Sequence, residues 1–220
     1  IASGTPDRTS NQHTKTNEPL HTNNFRLGID YQLNDNSALG ILINGNIGKY
    51  THDSKTSNLL SYNAGTLLSN MATSNYDRHN WENLTYNLNY LYKLKKEGRE
   101  LSADADFASN SFTSNLNLNT ITLAAAPSQP NTDISRRGYV PAVTNVYLAK
   151  LDYTDPISKT LNFETGIKSS VTNSDNNLRY DLLNNGNWEY DNNGSNHFKY
   201  KEEIHAGYLN FNKSFKSFSI

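Results

Sequence analysis

Polar and apolar residues alternate one by one through much of this chain. From Asn24 to Leu33, Phe25, Leu27, Ile29, Tyr31 and Leu33 share one parity, and Arg26, Gly28, Asp30 and Gln32 share the other. A period of two marks an extended strand with one apolar face. The blocks that carry it are about ten residues long, the length a tilted strand needs to cross a bilayer. Helical spacing is almost absent. Purely apolar runs do not exceed four residues, as in Leu123-Ala124-Ala125-Ala126, so a membrane-spanning helix of ~18 apolar residues is excluded while a spanning strand is not.

Seven further blocks follow. After Asn34-Asp35-Asn36-Ser37, a return run puts Leu39, Ile41, Ile43 and Ile47 opposite Gly40, Leu42, Asn44 and Asn46, which makes a tight hairpin. The third block sets Leu84, Tyr86, Leu88, Tyr90 and Tyr92 against Asn83, Thr85, Asn87 and Asn89. The fourth sets Leu101, Ala103, Ala105 and Phe107 against Ser102, Asp104 and Asp106. Tyr147, Ala149, Leu151 and Tyr153 form the fifth, which is expected to turn at Asp155-Pro156. The sixth opposes Leu161, Phe163, Thr165 and Ile167 to Glu164, Gly166 and Lys168. The seventh opposes Ile204, Ala206 and Tyr208 to Glu203, His205 and Gly207, and an eighth begins near Phe215.

The spacing between blocks alternates too. Short connections are expected at about 33–37, 94–99, 154–160 and 210–215, and long ones at about 48–80, 109–144 and 172–196. Such long segments are suspect inside a compact soluble domain. Sorted to one end of a sheet, they match the short periplasmic turns and long external loops of bacterial outer-membrane barrels. Within the first of them, Leu59, Leu60, Leu67, Leu68 and Met71 have a loose helical spacing, suited to a short capping helix or to the apolar underside of a folded loop.

Composition removes other classes. Apolar residues make up 35%, too few for a large dry core, and the difference is filled by Asn, Ser and Thr, with 34 Asn. Lys and Arg number 20 against 21 Asp and Glu, which leaves no electrostatic footprint for nucleic acid. With no cysteine there is no disulfide framework, thiolate metal site or cysteine nucleophile. The histidines at 13, 21, 52, 79, 197 and 205 never fall in HxH, HExxH or HxxxH spacing, so no zinc site can be written from the sequence. No GxSxG elbow or phosphate-cradling glycine loop occurs, and no catalytic or cofactor-binding residue is expected. Asp104 and Asp106, two apart on a strand, read as lumen polarity rather than an acid–base pair. The stretches Ser174–Asn177 and Asp191–Asn196 offer oxygen ligands for calcium in external loops, but turn propensity explains both.

The fold class expected is all-β: an antiparallel up-and-down transmembrane barrel segment. In that reading Phe25, Leu27, Ile29, Tyr31, Leu39, Ile41, Ile43, Leu84, Tyr86, Leu88, Tyr90, Tyr92, Leu101, Phe107, Leu151, Tyr153, Leu161, Phe163, Ile167, Ile204 and Tyr208 face lipid. Arg26, Asp30, Asn44, Asn87, Asp104, Asp106, Glu164 and Lys168 face the lumen. Alternation alone fits a soluble sheet equally well. The tyrosines gathered near the short turns, where an interfacial aromatic girdle sits, favour lipid.

The segments FRLGIDYQLNDNSALGI, NLTYNLNYLYKLKKEGRELSADADFA, LAKLDYTDPISKTLNFETGIKSS and HFKYKEEIHAGYLNFNKSFKSFSI resemble the outer-membrane β-barrel of TonB-dependent receptors of Bacteroidota. The resemblance runs in order over most of residues 24–220, and GRELSADADF is its most specific part. It implies a multi-pass barrel of about 22 strands in the bacterial outer membrane, with about eight strands here. It also implies a plug, further strands of the full protein, a periplasmic TonB-type coupling protein and a surface lipoprotein as partners. Residues 1–23 are expected to be an external loop or the end of a preceding strand, no segment corresponds to the plug, and the chain reads as a piece of something longer. The function implied is import of a bulky nutrient or chelate. The alternative is a soluble or surface-exposed all-β glycan-binding module. The chain is not expected to close a ring, because its polar face carries small, hydrated residues suited to a wide interior.

Overall fold

The computed structural model describes residues 8–62 and 65–215 as one antiparallel sheet. Its strands are β1 (Arg8–Asn17), β2 (Leu20–Asn34), β3 (Ser37–Tyr62), β4 (Leu67–Lys93), β5 (Glu100–Ala124), β6 (Thr132–Ser158), β7 (Leu161–Asn184), β8 (Asn187–Tyr190) and β9 (Asn196–Lys213). Sequential strands pair as hairpins from β2 to β7. At each edge of the sheet, two short strands share one partner. β1 and β2 lie end to end along β3, while β8 and β9 lie end to end along β7.

The first break falls at Glu18-Pro19, where proline has no N–H to give the ladder and its carbonyl accepts from Thr51 N–H at 3.1 Å. The second falls at residues 191–195. There Asp191 Oδ1 accepts from the amides of Asn193 and Gly194 at 3.1 and 3.0 Å, folding the chain into an Asx turn. β2 and β9 do not pair with each other, so the sheet is open.

The strands are much longer than the alternation predicts. β3 to β7 run 24–27 residues each, roughly 80–90 Å along the strand. The segments expected as long loops, 48–80, 109–144 and 172–196, are instead mostly continuations of the hairpins, joined at 63–66, 125–131 and 185–186. The last is a tight turn in which Asn185 and Gly186 both take positive φ, 49° and 81°, the requirement of a two-residue hairpin. Leu59, Leu60, Leu67, Leu68 and Met71 lie on β3 and β4, not on a helix. Much of the region 1–23 is strand. Asp155-Pro156 is still within β6, whose turn comes at Lys159-Thr160. The expected eighth strand near Phe215 falls largely on residues outside the described ones.

The extensions hold together without apolar burial. Every ladder hydrogen bond satisfies two backbone groups, and hydroxyl and amide pairs cross the strands: Thr14 with Thr56 at 3.0 Å, Thr73 with Thr120 at 3.2 Å, and Thr144 with Ser174 at 2.9 Å. Among the described residues no hydrophobic side chain is buried. The sheet has no core of its own.

Candidate functional site

The register sorts the side chains into two faces with different chemistry. One row runs Tyr31, Leu39, Tyr90, Ala103, Leu151, Ile167 and Gly207 from β2 to β9. The next runs Ile29, Ile41, Leu88, Ala105, Ala149, Ser169 and His205, and the next Leu27, Ile43, Tyr86, Phe107, Tyr147, Val171 and Glu203. Phe25 and Leu84 share this face, as do Tyr92, Leu101, Tyr153, Phe163, Leu209 and Phe211. Leu161 closes the belt at the turn. Large apolar groups on this face lie open: Leu27 is 66% exposed, Ile29 67% and Leu209 71%.

Two aromatic ridges bound this belt. Tyr86, Phe107 and Tyr147 stand side by side with centroids 6.0 and 5.0 Å apart. Nearer the short turns, Tyr153, Phe163 and Phe211 do the same at 6.5 and 5.0 Å. Packing of this kind adds to area burial once the face is covered.

The belt is slanted. On β2 its upper limit is Phe25, whose row meets β9 at Lys201. On β9 the uppermost large apolar group of the face is Leu209, eight residues further along and six strands away. Between these ends the limit does not step evenly: Ile47 on β3 and Val143 on β6 share the row of Asn23, one beyond that of Phe25, and Val171 on β7 lies in the row of Leu27, one short of it.

The register of β7 with β9 corrects one grouping made from the sequence. Ile204 and Tyr208 do not share the face of Leu151 and Ile167. They pair with Ser170 and Gly166 on the opposite face, and Tyr208 Oη donates to Asp152 at 2.8 Å.

That opposite face gathers Arg26, Asp30, Asn44, Asn87, Asp104, Asp106, Glu164 and Lys168, with Asn44 beside Arg26 and Asp104 beside Lys150. Its side chains bond to one another. Asn87 Nδ2 donates to Asp106 at 2.7 Å, Asn89 donates to Asn87 at 3.0 Å, and Lys150 pairs with Asp152 at 2.5 Å. Lys150 and Asp152 were not singled out from the sequence, and Tyr208 was assigned to the other face. The Lys150/Asp152 spacing, the same as that of Asp104/Asp106, was the available signal.

Above the belt, the two faces remain distinct. On the polar face, Tyr50, His79 and Phe112 contact edge to face at 5.5 and 5.4 Å, and Trp81 Nε1 donates to Asn46 at 2.6 Å. The histidines are engaged one at a time: His52 with Glu18 at 2.6 Å, His79 with Asp77 at 2.7 Å and His197 with Asp175 at 2.7 Å. Asp191, a calcium candidate from the sequence, caps its own turn with Oδ1 and pairs with Arg136 through Oδ2 at 3.1 Å. On the belt's face, Arg137 and Arg179 both bond Asp181, at 2.8 and 3.3 Å.

Hydrogen bonding from Arg137, with Arg179 beside it, holds the Asp181 carboxyl below its ordinary value. A carboxyl lowered in the folded state stabilises at pH above its unfolded pKa, about 3.9, and loses that contribution as pH falls through the folded value. Protection of the amides of residues 179–190, taken relative to their intrinsic exchange rates at each pH, should therefore fall below about pH 4, and Asp181→Asn should remove that pH step. An unchanged step in the variant would contradict the assignment.

The profile of the outer membrane protein beta-barrel family matches residues 92–220. No curated protein matches the chain. Among solved structures, it is similar at 11% identity and TM-score 0.25 to the ferric yersiniabactin uptake receptor FyuA from Yersinia pestis, over 96% of this chain and 45% of that one. It is also similar at 11% identity and TM-score 0.15 to the translocator domain of autotransporter NalP from Neisseria meningitidis, over 97% of this chain and 90% of that one. Neither likeness carries an argument. The profile spans more than half of the chain, β5 through β9 and the end of β4, so this protein belongs to the outer membrane protein beta-barrel family and resides in the bacterial outer membrane.

Proposed function

We propose that this sheet is part of the wall of a TonB-dependent receptor that imports a bulky nutrient or chelate and performs no catalysis. The carrying observation is the division of the faces: a slanted apolar belt with no core behind it, and an opposite face of small and charged groups that needs water or another domain against it. Turned outward, the belt meets lipid through Ile29, Ile41, Leu88, Leu151 and Ile167. Turned inward, Asp30, Asp104, Asp106 and Lys168 line a wide lumen. Gly40 and Gly166 leave it without bulk, and a ring of so few strands would have to fill its interior with side chains. A soluble binding module would require a buried apolar layer, and none is formed among the described residues.

The open edges support the same reading. Among the described residues, β2 and β9 each leave one row of backbone groups without a strand partner through the belt, which hydrocarbon does not tolerate. Further barrel strands complete both edges, a plug fills the lumen, and a periplasmic coupling protein and a surface lipoprotein act with the full receptor. Deleting the protein should abolish growth on at least one solute too large for diffusion pores, and deleting the coupling protein should abolish the same growth. Growth lost in the first strain but retained in the second would contradict coupled import.

A further inference from the structure

Outside the belt and the lumen face, one cluster stands apart. It lies on the belt's face of the extended wall, where Asn115, Asn117, Arg137, Tyr139, Arg179 and Asp181, with Leu116 and Gly138, line a hollow of about 190 Å³. Arg179 is eight residues beyond Val171 on β7, roughly 27 Å along the strand above the belt.

The two arginines are held in a particular way. Arg137 uses Nε to bond Asp181 Oδ2 at 2.8 Å, and Arg179 uses Nε to bond Oδ1 at 3.3 Å. One face of each guanidinium is occupied by a ring: Trp188 lies 4.6 Å from Arg137, and Tyr190 lies 5.8 Å from Arg179. The Nη groups of both make no hydrogen bond among the described residues, and both side chains are half exposed, at 45% and 59%. Two guanidiniums share one carboxylate, so the hollow keeps a net positive charge. Arg78, the register partner of Asn115, adds a third on the same face.

A simple stabilising brace would need one arginine and its acid. Two forks fixed by Nε, with their Nη donors free, form a site for a doubly charged anion, since guanidinium planes match phosphate bidentately. Three of the remaining lining residues suit a different chemistry: the Asn115 and Asn117 carboxamides and the Tyr139 hydroxyl offer donors and acceptors of the kind sugar hydroxyls require. The volume admits about one hexose ring.

We infer that this hollow binds a phosphorylated sugar on the outer side of the wall. Such a group can come from the glycolipid of the surrounding outer leaflet or from a free sugar phosphate, and the site is independent of whichever solute the lumen passes.

Purified full-length protein in detergent, titrated calorimetrically with glucose 6-phosphate, should bind saturably, while glucose should not. The double substitution Arg137→Gln/Arg179→Gln should weaken binding at least tenfold. Asn117→Asp keeps Asp181 and both arginines and sets a second carboxylate in the hollow, opposite Arg137 in the register, so it should weaken binding as much with the fold preserved. In bilayers holding lipopolysaccharide with a phosphorylated core, amide exchange at residues 137–139 and 179–181 should slow relative to the dephosphorylated glycolipid. Slowing there assigns the glycolipid as ligand, and binding of glucose 6-phosphate without it assigns a free sugar phosphate. Equal binding of glucose and its phosphate, an unchanged affinity in Asn117→Asp, or no response to either phosphorylated probe would overturn the site.

Discussion

Arginine in place of Leu88 is expected to remove the folded protein from the outer membrane, whereas arginine in place of the adjacent Asn87 leaves it there. The two positions have the same depth and opposite faces. Leu88 pairs with Ile41 and Ala105 in the middle of the belt, where a charge against hydrocarbon costs about 2–4 kcal/mol. At about 1.4 kcal/mol per decade, the folding equilibrium shifts by roughly thirty- to eight-hundredfold. Asn87 already bonds Asp106, so arginine there gains a counter-charge in a hydrated space. The slant adds a third position. Glu203 is in the row of Leu27 but lies above the belt on β9, so Glu203→Arg should leave the folded fraction close to wild type. Heat-modifiable mobility of the membrane-extracted protein reads all three. Equal loss at 87 and 88 would deny the distinction between faces.

Gly166→Val is expected to cost nearly as much without introducing any charge. Gly166 lies on β7 between Asp152 and Tyr208. A Cβ there would collide with the Asp152 carboxylate and the Tyr208 ring, and would stand 2.9 Å from the Leu151 carbonyl oxygen, which is backbone and cannot swing away. Overpacking typically costs about 1–3 kcal/mol. Displacing Tyr208 also breaks its 2.8 Å hydrogen bond to Asp152, a bond to a charged group worth about 1.5–3 kcal/mol. Gly28→Ala is the comparison, because its Cβ meets only Leu42 Cδ1 at 3.2 Å and the Ile41 carbonyl oxygen at 3.4 Å. Thermal unfolding of the extracted protein should fall by several degrees or more for Gly166→Val and little for Gly28→Ala. Similar losses would mean that Tyr208 does not depend on the gap.

The belt was legible in the sequence because successive residues of an extended strand point to opposite faces, so one apolar face shows as an alternation. Phe25 to Leu33 and Leu84 to Tyr92 can be read from parity alone. The strand extensions were not, because beyond the belt both faces are wet. Stretches such as Thr51–Ser57 and Ser109–Ser114 carry small polar residues on both parities, and only cross-strand pairing reveals them as strand. β9 misled for a related reason. Ile204, Ala206 and Tyr208 alternate as a lipid face would, but the register with β7 puts them on the polar face, Ile204 beside Ser170, Ala206 beside Lys168 and Tyr208 bonded to Asp152. The cluster around Asp181 joins residues 137, 179 and 181, which no local spacing connects.

The chain has no cysteine, so single cysteines can carry a spin label along each strand of the full-length protein in bilayers. The direct test compares label accessibility to oxygen, which partitions into lipid, with accessibility to a water-soluble nickel chelate. Along residues 84–92 of β4, the account predicts oxygen accessibility peaking at every second position, at Leu84, Tyr86, Leu88, Tyr90 and Tyr92. It further predicts that the upper end of the oxygen-accessible stretch lies near Phe25 on β2 and near Leu209 on β9. Peaks at Asn87 and Asn89 instead, or a stretch on β9 that reaches up to Lys201 in the row of Phe25, would contradict a slanted lipid belt on this face.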